Sequence, residues 1–328
     1  MSRRKVKVNQ PRSKGLSATV VKDSFTGIVR DLSADGRGVV QAPDGQVVFV
    51  AGVWQGEKVE IERSRRGKSK SAELISLLQP LDARRTPECE YHRDGSCGGC
   101  PWMFVDYPTQ IKQKQARLEK VLERINSNIA GCSVLGARET LNYRNRAQFK
   151  SDGVKLGYVA QGSHKIADVT HCPVLNEVNQ VHLRALRQSL PNSDWRPNKK
   201  RQWTTIDIDD ERGTPLVNQR QAFRQGNSEQ NEQLRVWLRN RLANLSRPNT
   251  VFELFCGSGN LTEVIAEQVD VPVIAIEGDE ISLDALSARN LSKVKPVRVN
   301  LFSKHSIVDD MPNCQSGIGV VLDPPRDG

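Results

Sequence analysis

TVFELFCGSGNLTEVIAEQVDVPVIAIEGDE, residues 250–280, places short apolar runs between amphipathic segments. Together with the apolar runs that follow it, this stretch predicts strands over 250–255, 272–277, 297–300 and 318–322 and helices over 260–268 and 281–291. Strands that alternate with helices at this spacing are typical of a parallel, doubly wound sheet. We therefore predict an α/β domain over residues 226–328.

The turn after the first of these strands has the composition of a ligand-binding loop. Gly257 and Gly259 stand between the strand and the helix, where glycine lets the backbone approach a ligand and the helix start offers unpaired N–H groups. Glu277 ends the next strand, eighteen residues after Gly259. A carboxylate at that position is well placed for ribose hydroxyls, so the pattern predicts a site for a nucleoside-containing cofactor.

Two kinds of cofactor fit such a loop. A dinucleotide fingerprint carries a third glycine, but this chain has Thr262 in its place. Glu253 before the loop and DPPR (323–326) after the fourth strand fit an S-adenosylmethionine site better. The two prolines stiffen the turn and fix where Asp323 points. S-adenosylmethionine is therefore the predicted cofactor, and a dinucleotide is the alternative.

Charge indicates a polyanionic partner. The chain has 328 residues and a net charge of +10, with six basic residues and no acidic one in residues 1–14 and five more in RSRRGKSK (63–70). Neutralising phosphates releases condensed counterions, so two such runs favour nucleic acid over a merely solvated surface. The basic start of the chain has no apolar run behind it and does not resemble a secretory signal. We expect a cytoplasmic, monomeric protein that binds RNA and has no membrane segment and no protein partner.

The rest of the chain divides by composition. After a basic tail over 1–14, residues 15–79 carry five short β-type runs separated by turn signals, which favours an OB-like barrel. Residues 80–225 predict a mixed α/β domain with helices over 107–130 and 176–189. The strands of this central part carry aromatic and basic residues suited to RNA, although an ordinary sheet surface has the same periodicity.

Three cysteines lie close together in ECEYHRDGSCGGCPW (88–102), at Cys89, Cys97 and Cys100. The chain holds seven cysteines, an odd number, and no export signal, so a disulfide framework is disfavoured. A zinc site, a redox pair and an iron–sulfur cluster all remain possible from spacing alone.

These features together resemble the TrmA/RumA family of RNA uracil-C5 methyltransferases, in particular the TRAM-bearing RumA (RlmD) type that acts on 23S ribosomal RNA. The resemblance runs from the barrel segment through the cysteines to FRQGN (223–227), LFCGSGN and DPPR. It implies a multidomain protein with a TRAM barrel, a central RNA-binding domain and a partial class I (Rossmann-like) methyltransferase domain. The implied S-adenosylmethionine contacts, with the two loop glycines, are Gln225, Phe255, Gly257, Gly259, Asn260, Glu277, Asn300 and Asp323.

The resemblance also implies that Cys89, Cys97, Cys100 and Cys172 hold a [4Fe–4S] cluster. Four thiolates, with one C-x2-C pair and a proline after two of the cysteines, suit that ligation. A Cys/His zinc site using His92 and His171 is the alternative. The first cysteine gap is seven residues here and commonly five in the family.

Methylation at uracil C5 requires covalent help, because C5 becomes nucleophilic only after a thiolate adds to C6. In the family, the nucleophilic cysteine and the general-base glutamate lie downstream of DPPR, whereas this chain ends at Gly328. We therefore expect a C-terminally truncated, inactive form in which Asp323 has only a supporting role. The alternatives are a non-catalytic RNA-binding iron–sulfur protein and a tRNA uracil-C5 methyltransferase; an amino-group methyltransferase is disfavoured because Arg326 replaces the stacking aromatic after DPP.

Overall fold

The computed structural model describes residues 22–64, 70–125, 133–160, 162–244, 248–303 and 317–325. The chain divides into two compact units, one with the residues up to 88 and 100–132, the other with 89–99 and the residues from 133 on. The predicted basic tail, residues 1–14, lies outside the described residues. The three-part domain division stays a prediction.

The first unit contains a closed five-stranded barrel. Its strands are β1 (Lys22–Leu32), β2 (Gly38–Gln41), β3 (Val47–Val50), β4 (Lys58–Ser64) and β5 (Ser71–Gln79). The strand order around the barrel is β1-β2-β3-β5-β4, with β3 and β5 parallel. The structure thus confirms a five-stranded barrel in this segment, and its assignment as a TRAM domain stays a prediction.

Alternating apolar residues of these strands fill the barrel. Val29, Val40, Val50 and Val59 are fully buried and pack with Trp54. Two helices follow the barrel strands along the chain and precede the next sheet. They are α1 (Glu90–Arg93), in the second unit, and α2 (Tyr107–Ile125), in the first. The predicted helix over 107–130 is confirmed as far as Ile125, and residues 126–130 lie outside the described part.

A five-stranded sheet opens the second unit. Its strands are β6 (Arg146–Ser151), β7 (Leu156–Val159), β8 (Ile166–Asp168), β9 (Thr204–Asp209) and β10 (Arg212–Val217), in the order β10-β9-β6-β7-β8. In β6, Ala147 and Phe149 are buried while Gln148 is exposed, as the two-residue period of a strand requires. Helix α3 (Glu177–Gln188) matches the prediction and is capped by the side chain of Asn176.

A parallel sheet forms the remainder of the second unit. Its elements are α4 (Ser228–Leu242), β11 (Thr250–Leu254), α5 (Asn260–Gln268), β12 (Val273–Glu277), α6 (Glu280–Ser287), β13 (Val294–Arg298) and β14 (Ile318–Leu322). The strand order is β13-β12-β11-β14 and every pair is parallel. The order reverses after β11, which is the arrangement of a Rossmann-like, doubly wound sheet.

Two predicted boundaries in this sheet are wrong. Helix α6 ends at Ser287, not at residue 291, and the third strand begins at Val294, not at 297. The cause is a tight turn in which Asn290 and Lys293 both adopt positive φ angles, 51° and 68°. Asparagine tolerates that conformation, but lysine gives no sequence signal for it.

The helices described here cover one face of the parallel sheet. Leu238 of α4 and Ile265 of α5 pack on Val251 and Val273, while Leu286 of α6 packs against Ala275. No helix in the described part of the chain has the length and apolarity that crossing a bilayer requires.

Candidate cofactor site

The carboxyl ends of the four parallel strands bring the predicted residues to one edge. Leu254 pairs with both Ile276 and Leu322, so Phe255, Glu277 and Asp323 lie at the same end of the sheet. Asn300 follows β13 by two residues, and its Cα lies 3.8 Å from the position that a Cβ on Gly278 would take. The geometry therefore groups four of the predicted contacts, and their role in binding stays a proposal.

The loop between β11 and α5 has a backbone that most residues cannot adopt. Phe255, Gly257 and Gly259 have φ angles of 62°, 55° and 90°. A Cβ on Gly259 would also stand 2.5 Å from Leu286 Cδ1, so a side chain there would clash with α6. Glycine at 259 thus allows the loop to lie close to α6, and the first turn of α5 starts directly behind it.

Glu277 connects two loops at this edge. Its Oε2 accepts a hydrogen bond from the Gly257 N–H at 3.1 Å, and its Oε1 accepts from Gly278 N–H at 2.7 Å and Asp279 N–H at 2.9 Å. Three main-chain donors therefore fix the orientation of the carboxylate beside the glycine loop.

The Asn260 side chain is held by helix α4. Asn260 and Asn231 exchange two amide hydrogen bonds, of 3.0 Å and 2.7 Å, and Arg235 donates to the Asn260 carbonyl and to Glu263 Oε2. Asn231 and Arg235 were missed at the level of sequence, because the amphipathic pattern of α4 does not show which of its polar residues face α5.

The FRQGN segment (223–227) lies beside the same loop. Ser258 Oγ donates to the Phe223 carbonyl at 3.4 Å. Asn145 fixes the segment from the other side, because its Nδ2 donates to the Gln225 carbonyl at 3.0 Å and its N–H to the Gly226 carbonyl at 3.1 Å. The predicted contact Gln225 is therefore positioned by the start of β6, close to the glycine loop.

A second carboxylate, Glu253, is buried beneath this edge. The residue is 2% exposed. Within the described residues, neither its Oε2 nor the nearby Thr262 Oγ1 has a hydrogen-bond partner. Burial raises the pKa of Glu253 to about 7; contact with the Thr262 hydroxyl lowers it and the charge of Asp323 raises it. Buried polar atoms without partners mark a place where a ligand or a bound water completes the structure.

The predicted metal ligands are divided between the two units. Cys89, Cys97 and Cys172 belong to the second unit and Cys100 to the first. Burial raises the pKa of Cys97, and neighbouring Cys172 and Cys89 raise it further, so these thiols lie within electrostatic reach of one another. Burial also raises the pKa of Cys172, whose sulfur is 4.0 Å from the Tyr158 hydroxyl.

The described residues give no support for a metal site at these thiols. Over the described ranges, no three His, Cys, Asp or Glu side chains are grouped so that they could hold a metal ion. The prediction that Cys89, Cys97, Cys100 and Cys172 hold a [4Fe–4S] cluster is therefore not supported, and neither is the zinc alternative.

Comparison with known proteins gives a close relative over most of the chain. The chain is 39% identical over 317 residues to an uncharacterized RNA methyltransferase of Nitrosomonas europaea, an alignment that covers 93% of this chain and 81% of that protein. It is 34% identical over 169 residues to the 23S rRNA (uracil(1939)-C(5))-methyltransferase RlmD of Halomonas elongata, which covers 50% of this chain and 35% of that protein. The prediction that the chain is truncated is not supported by this comparison.

Two further comparisons add little. No family model matches the chain. The precorrin-6y C5,15-methyltransferase of Geobacter metallireducens covers 24% of this chain and 43% of that one at 15% identity, with a TM-score of 0.21, too low to bear on the fold. By its identity to the Nitrosomonas protein over most of both sequences, the chain belongs to the RNA methyltransferase family.

Proposed function

We propose that the protein transfers a methyl group from S-adenosylmethionine to C5 of a uracil in RNA, with 23S ribosomal RNA as the acceptor. The observation that carries the cofactor half is the convergence of Glu277, the glycine loop and Asp323 at the carboxyl edge of a parallel sheet. The names of relatives such as the Halomonas enzyme support the choice of uracil C5 and of 23S RNA.

The residues at the edge fit this cofactor. Glu277 is oriented to accept hydrogen bonds from ribose hydroxyls, and the first turn of α5, directly behind the glycine loop, offers N–H groups to a carboxylate. Phe255 and Asn300 flank the adenine in this proposal, and Gln225 and Asn260 complete the contacts. Bound S-adenosylmethionine supplies an electrophilic methyl group on a positively charged sulfur.

Asp323 lies where the uracil has to meet this methyl group. Its carboxylate follows β14 at the reversal of strand order, the usual position of a substrate in such sheets. We assign to it the orientation of the uracil base, which must leave any base stack to reach the site.

The thiolate that adds to uracil C6 is a separate requirement. Cys256 does not fit it, because the thiol is buried and its pKa is raised by burial and by the charges of Glu253 and Glu277. Cys132 and Cys314 lie outside the described residues. The expectation that the nucleophilic cysteine and the general-base glutamate are missing from these 328 residues stays a prediction.

The test is incubation of the 328-residue chain with methyl-labelled S-adenosylmethionine and 23S rRNA, followed by nucleoside analysis and, separately, by binding measurements. Formation of 5-methyluridine supports the function and contradicts the predicted lack of a nucleophile. If the chain binds both substrates but forms no product, the result supports the binding part of the proposed function and the predicted lack of a nucleophile. Methyl label on an exocyclic amine of a base, or no binding of S-adenosylmethionine, contradicts the proposal. A parallel incubation with tRNA tests the alternative acceptor.

A further inference from the structure

A partly exposed tryptophan stands on the polar side of the central sheet, in a different place from the cofactor site. Trp203 directly precedes β9, and the Lys150 ammonium lies 5.9 Å from the centre of its ring. The ring of His164, an exposed residue between β7 and β8, lies 6.5 Å from that of Trp203 at an interplanar angle of 36°. Three chain segments thus bring two aromatic rings and a cation together at the surface.

The distance between the two rings is long for direct aromatic contact. Aromatic pairs have centroids between about 4.5 and 7 Å apart, and this pair is near the upper limit. Stacked bases are about 3.4 Å apart, so a base between two rings needs a separation of about 7 Å. A modest rotation of the exposed His164 ring therefore opens a slot for one nucleobase against Trp203.

The charge around this slot is positive. Lys199, Lys200 and Arg201 are exposed and precede Trp203 in the chain by two to four residues. The buried carboxylate on the same sheet face, Asp207, is neutralised by Arg146 through two hydrogen bonds, of 2.8 Å and 2.9 Å. We call Lys150, His164, Trp203 and the three preceding cations the Trp203 patch.

Strand β6 leads from the patch towards the candidate cofactor site. Arg146 also donates to the Ala222 carbonyl at 2.9 Å, next to the FRQGN segment that touches the glycine loop. Along β6, Arg146 and Lys150 are about 13 Å apart, since a strand rises by about 3.3 Å per residue. Stacked nucleotides cover that distance in about four steps.

We propose that the Trp203 patch binds single-stranded RNA a few nucleotides away from the target uracil, with one base stacked between Trp203 and His164 and the neighbouring phosphates on Lys150 and the 199–201 cations. Stacking on an aromatic ring beside a basic groove is the general way in which proteins hold single strands. This inference rests on the proposed function, because it takes RNA as the substrate.

The test is binding of a fluorescein-labelled single-stranded RNA of about 12 nucleotides, a length within the usual site size, by fluorescence anisotropy. We expect Trp203→Ala to weaken binding about 5- to 150-fold, the equivalent of one lost stack, and Trp203→Phe to restore most of it. Lys150→Gln is expected to reduce the slope of log affinity against log salt by about one.

The matched control is Trp237→Ala, because Trp237 is also exposed, at 48%, and also lies against a cation, Arg241, but on helix α4. S-adenosylmethionine binding is measured on each variant, and we expect it to be unchanged by Trp203→Ala. Equal loss in Trp203→Ala and Trp237→Ala, or wild-type affinity in Trp203→Ala, overturns the inference. The same dependence on Trp203 with a perfect RNA duplex also overturns it, because a paired base cannot enter the slot.

If the wild-type chain binds S-adenosylmethionine but not RNA, the inference fails while the cofactor half of the proposed function stands. If it binds RNA through Trp203 but not S-adenosylmethionine, the patch stands and the proposed function fails. The two failures are therefore distinguishable.

Discussion

Glu253 and Glu277 lie on neighbouring strands at the same edge and have opposite surroundings. Glu277 accepts hydrogen bonds from three main-chain N–H donors, which fix its orientation. Glu253 is buried and has an oxygen with no partner in the described part of the chain, so its neutral form is favoured. Both residues were singled out from the sequence, but only the structure separates the oriented carboxylate from the buried one.

The raised pKa of Glu253 predicts a pH-dependent stability. An acid whose pKa rises from its usual value of 4.5 to about 7 on folding binds more protons in the folded state, so the free energy of unfolding falls as the pH rises through this range. We expect Glu253→Gln to abolish this fall and to raise stability above pH 7 by up to about 3 kcal/mol. Urea denaturation at a series of pH values between 5 and 8, the range in which this carboxyl titrates, measures the free energy of unfolding.

The control for this experiment is Glu267→Gln, which removes a carboxylate that is 49% exposed on helix α5. We expect it to leave the pH dependence as in the wild type. Parallel pH profiles for wild type and Glu253→Gln would show that Glu253 is charged in the folded protein, contrary to our account.

At the scale of elements, the glycine loop depends on the close approach of α5 and α6. Gly259→Ala places a methyl group 2.5 Å from Leu286 Cδ1 at a φ of 90°, and we expect a loss of about 2 kcal/mol in unfolding free energy together with loss of cofactor binding. Gly257→Ala is the matched variant, because its Cβ meets open space at a φ of 55°. Thermal denaturation compares the two, and an equal cost at both positions would refute the packing argument.

The contact between α4 and α5 makes a second prediction. Asn231→Ala leaves the Asn260 amide without its two hydrogen bonds, which costs about 1–3 kcal/mol. Because Asn260 begins the helix behind the glycine loop, we expect weaker S-adenosylmethionine binding as well as lower stability. Calorimetric titration of the variant checks this; Asn240→Ala, at the far end of α4, is the control.

The barrel contains its own buried charge. Glu57 is 1% exposed and accepts hydrogen bonds from Arg84 and from the Trp54 and Leu81 N–H groups. Burial alone raises the pKa of Glu57, but these donors outweigh it and the net pKa is lowered. We expect Glu57→Ala to cost about 3–5 kcal/mol in unfolding free energy, since it leaves Arg84 without its carboxylate. Urea denaturation followed by circular dichroism measures this loss. A cost below about 1 kcal/mol contradicts the prediction.

At the scale of the whole molecule, the sequence predicts what depends on local pattern. The barrel, the parallel sheet and the positions of Glu277 and Asp323 follow from periodicity and from the ends of strands. The turn at Asn290–Lys293 and the Asn231–Asn260 pair do not, because they depend on tertiary contacts. The cysteines show the limit most clearly: C-x2-C spacing suggests a shared metal, but no metal-holding group is found among the described residues.

The most direct test of the central claim, that the carboxyl edge of the parallel sheet binds S-adenosylmethionine, is isothermal titration calorimetry with this cofactor and with NAD on the wild type and on Glu277→Gln. We predict one S-adenosylmethionine site per chain, no NAD binding, and an affinity lowered about tenfold or more in Glu277→Gln, because the amide replaces an oriented charged acceptor. No binding of S-adenosylmethionine by the wild type, or equal affinity in the variant, would contradict the account.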